Sequence, residues 1–250
     1  MHLTFLSSLS IVISLMICGT TGFASLPTDL DIYTSAVDNN GDGDMGLYGT
    51  RNFKMVLKGL LYRTGANNVN DKTNPRELEN PMPDIGLKNL CQKGVYETFA
   101  LLPFGMDEAP KSLSCASLDD GEQRQMYYNH RSFWSPENRL LIFRMIVLSA
   151  KYPSKGAIVL QDLDGSSVVG MMSAIALMQF CDWTTAEALT YFDKTNIRAE
   201  KSPQDNPANT PENTEEMKEL INEIKSFIPF EETRLSNELK AKVCPASAAK

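Results

Sequence analysis

Residues 157–181 confine the chain to a narrow set of folds. Ala157-Ile158-Val159-Leu160 is a continuous apolar run that follows Gly156, the pattern of a central strand covered on both faces. A polar, glycine-bearing loop comes next: Gln161-Asp162-Leu163-Asp164-Gly165-Ser166-Ser167. Residues 168–181 then read as a helix that is apolar almost all round, and such a helix must be buried on every side. A covered strand feeding a buried helix demands layers on both faces of a sheet. The expected fold class is therefore α/β, with a central, mostly parallel sheet flanked by helices.

The remaining chain supplies those layers. Phe53 to Leu57 and Leu60 to Tyr62 read as two short strands broken by Lys58-Gly59, a turn signal. Residues 84–93 read as a helix closed by Gly94, and residues 95–102 as a strand ended by Pro103. Residues 64–82 and 104–125 read as irregular. Ser135-Pro136-Glu137 is a helix start: a capping residue, a proline in the first turn, then an acid. The helix that follows runs to about Ala150 and carries Leu140, Ile142, Phe143, Ile146 and Leu148, so it too is buried. Thr184 caps an amphipathic helix that reaches Phe192. Residues 199–213 are rich in Pro, Asn and Asp and read as a linker. Beyond it, Met217, Leu220, Ile221, Ile224 and Ile228 give one apolar stripe in a C-terminal helical segment, 214–250.

The first 24 residues contain no Lys, Arg, Asp or Glu, and run from an apolar stretch into Gly22-Phe23-Ala24. This pattern predicts a secretory signal peptide cut after Ala24, and hence an exported, periplasmic or secreted, protein. Cleavage leaves 250 − 24 = 226 residues: an extended opening segment at 25–50, one α/β domain at 51–198, the linker and the C-terminal segment. The formal net charge of −7 and the lack of a basic run argue against nucleic acid, and against a membrane once the leader is gone. Four cysteines remain, Cys91, Cys115, Cys181 and Cys244, an even number that suits disulfides in an oxidising compartment. Cys91 and Cys115 flank a single strand and its return loop, so these two are expected to pair, and Cys181 with Cys244. With His130 the one histidine left and no CxxC pair, zinc is not expected.

The loop at 161–167 carries the functional question. Loop amides and a helix N-terminus aim N–H donors at one spot, which is a site built for an anion. Here the chain resembles the dual-specificity tyrosine-phosphatase family, whose members use strand, His-Cys-x-x-Gly-x-x-Arg-Ser/Thr, then helix. Residues 157–183 overlay that pattern without gaps, with Gly165 and the helix "GMMSAIALMQFCDW" in register. "RNFKMVLKGLLYRTGANN" resembles the family's opening strand pair, "IGLKNLCQKGVYETFALLP" its next helix and strand, and the helix from Pro136 the one just before the catalytic strand. The resemblance covers about residues 50–195 and implies a tyrosine-phosphatase-like fold.

The loop departs from that family where its chemistry resides. Gln161 stands for the His, Asp162 for the nucleophilic Cys and Val168 for the Arg. Valine cannot make the two parallel hydrogen bonds with which an arginine clamps phosphoryl oxygens. A carboxylate is a poor substitute for a low-pKa thiolate and repels a phosphate dianion. The segment "NHRSFWSPE", where the general-acid Asp would lie, has no Asp. The expectation is a pseudophosphatase, with no catalytic residues at the degenerate positions Asp162 and Val168. A protein partner or small anionic ligand would meet Gln161, Asp162, Asp164, Gly165, Ser166 and Ser167, with Arg51, Arg63, His130 and Arg131 as nearby cations. Asp162 opposes anion binding, because a carboxylate at the loop centre would itself occupy the ring of amides.

Two other readings stand beside this one. "IVLQDLDGSSV" also resembles the first motif of haloacid-dehalogenase phosphohydrolases, in which Asp162 would be the nucleophile, Asp164 the acid/base, and both would help hold Mg²⁺. Those enzymes place the motif early and follow it with further parallel strands. A divalent-cation-dependent binding module is the third reading. Asp38, Asn40, Asp42 and Asp44 space oxygen ligands as the first half of a calcium loop does, but Gly49 stands where the closing Glu belongs. No organic cofactor is expected.

Overall fold

The computed structural model describes residues 26–38, 45–66, 82–101, 110–196 and 215–245. The leader at 1–24, the linker at 199–213, and Asn40, Asp42 and Asp44 of the expected calcium set lie outside the described residues.

Among the described residues seven strands form one sheet: β1 Ser35–Val37, β2 Thr50–Leu57, β3 Leu61–Ala66, β4 Val95–Ala100, β5 Lys111–Ala116, β6 Gln123–His130 and β7 Ala157–Gln161, ordered β1-β2-β3-β7-β4-β6-β5. The sheet is mixed. Its four central strands β3, β7, β4 and β6 pair in parallel. The outer pairs β1/β2, β2/β3 and β5/β6 are antiparallel, so parallel pairing accounts for the middle of the sheet and not for its edges. The helices are α1 Asp84–Gln92, α2 Pro136–Lys151, α3 Val168–Cys181, α4 Thr185–Thr195, α5 Glu215–Ser226 and α6 Asn237–Val243.

Successive side chains of a strand point to opposite faces, and β7 shows what that does here. Ile158 and Leu160 join a core with α2, α3, α4 and α5, while Ala157 and Val159 join a second core with α1. A strand apolar at every position is thus covered twice. α3 lies inside the larger core, and every side chain from Val168 to Phe180 is buried. α4 starts at a reciprocal cap: the Thr184 hydroxyl accepts from the Glu187 amide at 3.3 Å, and the Glu187 carboxylate accepts from the Thr184 amide at 2.8 Å.

Within the span 104–125 read as irregular, the structure corrects the sequence reading at 111–116 and from 123 onward. Residues 111–116 and 123–130 are strands joined by a turn at Gly121, whose φ is +72°. β5 exposes most of its side chains at the sheet edge and buries Cys115, so its sequence, KSLSCA, carries almost no apolar alternation. The C-terminal helical segment holds a second, short helix, α6, beyond the apolar stripe of α5.

Two disulfides join these layers. Cys91–Cys115 ties α1 to β5 at a Cα separation of 6.1 Å, and Cys181–Cys244 ties the end of α3 to the residue after α6 at 5.6 Å. Such bridges fit an oxidising compartment. No helix among the described residues is long and apolar enough to cross a membrane. The Cys91–Cys115 bridge closes a loop of 24 residues. Replacing both cysteines by serine is expected to lower the unfolding free energy by about 3 kcal/mol in urea titration, with Cys181–Cys244 intact.

Candidate functional site

The loop at 161–167 leaves the carboxyl end of β7, in the middle of the sheet, and enters α3. Its neighbours hold it in place. The Asp162 amide donates to the Thr64 carbonyl of β3 at 3.2 Å, and the Gln161 carbonyl accepts from the Leu101 amide, just beyond β4, at 2.7 Å. Gly65 of β3 pairs with Asp164 across the loop. This approach leaves no room for side chains: a Cβ on Gly65 would lie 2.5 Å from the Gly165 nitrogen, and one on Gly165 would lie 2.6 Å from the Gly65 nitrogen. Gly165 also has φ +78°, which glycine adopts at little cost. Asn52 completes the clamp from β2. Its backbone is left-handed, φ +50°, and its side-chain amide donates to the Asp164 carbonyl at 2.6 Å.

Asp162 is at the centre of the loop and is 4% exposed. One carboxylate oxygen accepts from the amides of Asp164 at 3.1 Å and Gly165 at 2.5 Å. The other accepts from the Val169 amide in the first turn of α3 at 3.1 Å. Ser167, at the N-cap position, makes no side-chain cap, so Asp162 caps the helix from seven residues upstream. Asp164 organises the rest of the loop. One of its oxygens accepts from the Ser166 amide at 2.9 Å, the Ser166 hydroxyl at 2.8 Å and the Ser167 amide at 3.3 Å. The amides that form an anion site in such a loop are thus directed at the loop's own carboxylates.

A buried cation lies beneath. Arg63 of β3 is fully buried, with one Nη donating to the Thr195 carbonyl at 3.0 Å and its guanidinium 5.4 Å from the centre of the Tyr191 ring. Gly170 of α3 makes space for it, since a Cβ there would lie 2.9 Å from the other Nη. Arg51 of β2 is half-buried on the loop's flank. Burial lowers its guanidinium below the usual value, and Asp164 and Asp162 pull it back up. Burial pushes the Asp162 carboxyl up to about 7, and Asp164 adds to the push. The amides of Val169 and Gly165 and the Arg63 guanidinium oppose it. A proton and three N–H donors therefore compete for the same two oxygens.

The other expected residues are distributed along the same end of the sheet. Ala100 of β4 is in register with Gln161 on one side and His130 on the other, which puts His130 two strands, about 10 Å, from the loop. Its ring packs edge-on against Tyr128 at 5.2 Å. The Arg131 amide donates to the Ala100 carbonyl, and its charge acts on the buried Glu97 of β4. Gln161 is fully buried, and Val168 is in the core. Asp38 touches the site through its backbone, accepting from the Asn52 amide at 2.9 Å. Sequence reasoning passed over Asn52, Thr64 and Gly65, although the Gly-to-Gly contact between "YRTG" and "DLDG" had a visible component in each segment.

Compared with known proteins, the chain matches no protein-family model and no curated sequence. What the loop can do therefore rests on its own groups, and Asp162 gives it a pH dependence. Its folded carboxyl titrates near 7, above the unfolded value of about 4. The stability gained from its proton is full below about pH 4 and is lost as pH rises through 7. Asp162→Asn removes this titration. Chemical denaturation at pH 5 and pH 8 should show the variant gaining on the wild type as pH rises, by at most about 1.4 kcal/mol per pH unit.

Proposed function

We propose that this chain is an exported, tyrosine-phosphatase-like protein that is catalytically silent and acts by binding a partner or a small anionic ligand. The observation that carries this reading is the Asp162 carboxylate, which accepts the Asp164, Gly165 and Val169 amides where a phosphatase loop would hold its substrate's phosphoryl group. Val168 contributes only an apolar side chain to the adjoining helix turn. A nucleophile and a phosphoryl clamp are both missing from the loop.

The arrangement of elements supports the phosphatase-like fold. The β2–β3 hairpin is followed by α1 and β4, α2 directly precedes β7, and β7 inserts between β3 and β4. The haloacid-dehalogenase reading needs its motif strand early, with parallel strands after it. β7 is instead the last strand among the described residues. That reading also needs Asp162 and Asp164 to face Mg²⁺, whereas both carboxylates here are engaged with amides and hydroxyls of their own loop. For export, the support is the leader-like sequence and the two disulfides.

Two experiments test the proposal. Purified protein should show no turnover of a generic phosphate ester, with or without Mg²⁺. Asp162→Ala removes the internal carboxylate, opens the three amides, and should bind phosphate or sulfate at least tenfold more tightly than the wild type in calorimetric titration. Mg²⁺-dependent hydrolysis that disappears in Asp162→Asn would overturn the proposal in favour of the haloacid-dehalogenase chemistry. N-terminal sequencing of exported material should begin at Ser25, and a retained Met1 in the membrane fraction contradicts export.

A further inference from the structure

A cleft lies at the opposite end of the sheet, where the parallel strands begin. Leu60 precedes β3, Gly94 precedes β4 and Gly156 precedes β7, and all three line a cleft of about 830 Å³. The last turn of α2 and the helix α6 form further parts of its wall. This volume is in the range that takes a small organic ligand.

Its lining has a definite chemistry. Leu26, Leu60, Ala150, Ala157 and Leu239 give it an apolar body. Around them stand Lys58, Lys93, Arg124, Lys151 and Lys242, against one carboxylate, Glu238. Five cations and one anion meet here in a chain whose net charge is −7. Arg124 is neutralised by Asp120 at 2.8 Å and Lys242 by Glu238 at 2.7 Å. Lys58 and Lys151 are exposed at the rim, and neither forms an ion pair among the described residues.

We propose that this cleft binds an amphiphilic organic anion, its apolar chain against Leu60, Ala150 and Leu239 and its acidic head drawn by the exposed Lys58 and Lys151. The proposal is independent of the chemistry at the 161–167 loop, which lies at the other end of β7.

The test uses the disulfide-bonded protein and three probes below their micellar concentrations: dodecanoate, dodecyltrimethylammonium and inorganic phosphate. Calorimetric titration should give one-to-one binding of dodecanoate, at least tenfold tighter than the cationic amphiphile of equal chain length or phosphate alone. Lys58→Glu with Lys151→Glu alters two exposed side chains, and should weaken dodecanoate binding at least tenfold with the melting temperature held. Equal binding of both amphiphiles shows a merely apolar surface and overturns the proposal. Phosphate binding as tight as dodecanoate overturns the amphiphile assignment, and dodecanoate affinity unchanged in the double variant overturns the location.

Discussion

The Asp162 carboxylate inside its own loop is the interaction from which the rest of this end of the molecule follows. It receives the Asp164, Gly165 and Val169 amides and so joins the end of β7 to the start of α3. A helix whose first turn is buried must find acceptors for its leading amides, and water cannot serve there. Asp162 is the acceptor the chain provides. The same group takes three of the loop's amides for itself, so those donors already face an internal oxygen.

Placing a carboxylate there imposes further requirements. Burial and the neighbouring Asp164 both raise the free energy of its charge, and Arg63 beneath α3 lowers it. Arg63 can occupy that position because Gly170 has no side chain. The loop itself lies flat against β3 only because Gly65 and Gly165 meet backbone to backbone. Asn52 takes a left-handed conformation, which asparagine tolerates better than most residues, to hold the Asp164 carbonyl. Asn52, Arg63 and Gly65, on two strands, are thus fixed by one loop far from them in sequence.

The two ends of the parallel strands have contrasting environments. At the carboxyl end, the two aspartates take the amides of their own loop, while Arg63 and Gln161 beside it keep buried side-chain atoms without a hydrogen-bond partner among the described residues. At the amino end, the strands open into a cleft whose cations outnumber its acids and whose Ser149 hydroxyl has no partner within the described fold.

Much of this architecture was legible in the chain, for identifiable reasons. The covered strand β7, the buried helix α3 and the capped helices α2 and α4 follow from continuous apolar runs and from Ser135 and Thr184, signals that act over a few residues. The loop with its two aspartates, and the Cys91–Cys115 pairing, could be read the same way. β5 and β6 could not, because an edge strand with one face to solvent needs few apolar residues and draws its identity from the partner it pairs with. Nor could local sequence show that Arg63 would be buried under α3 or that Gly65 would meet Gly165. Sequence alone determined the layered α/β plan, since apolar pattern dictates what must be covered. Only the tertiary structure decided that Asn52 and Gly65 would hold this loop, that Arg63 would be buried under α3, and which cations surround the far cleft, because those contacts join residues far apart in sequence, 112 positions for Asn52 and Asp164, and depend on strand order.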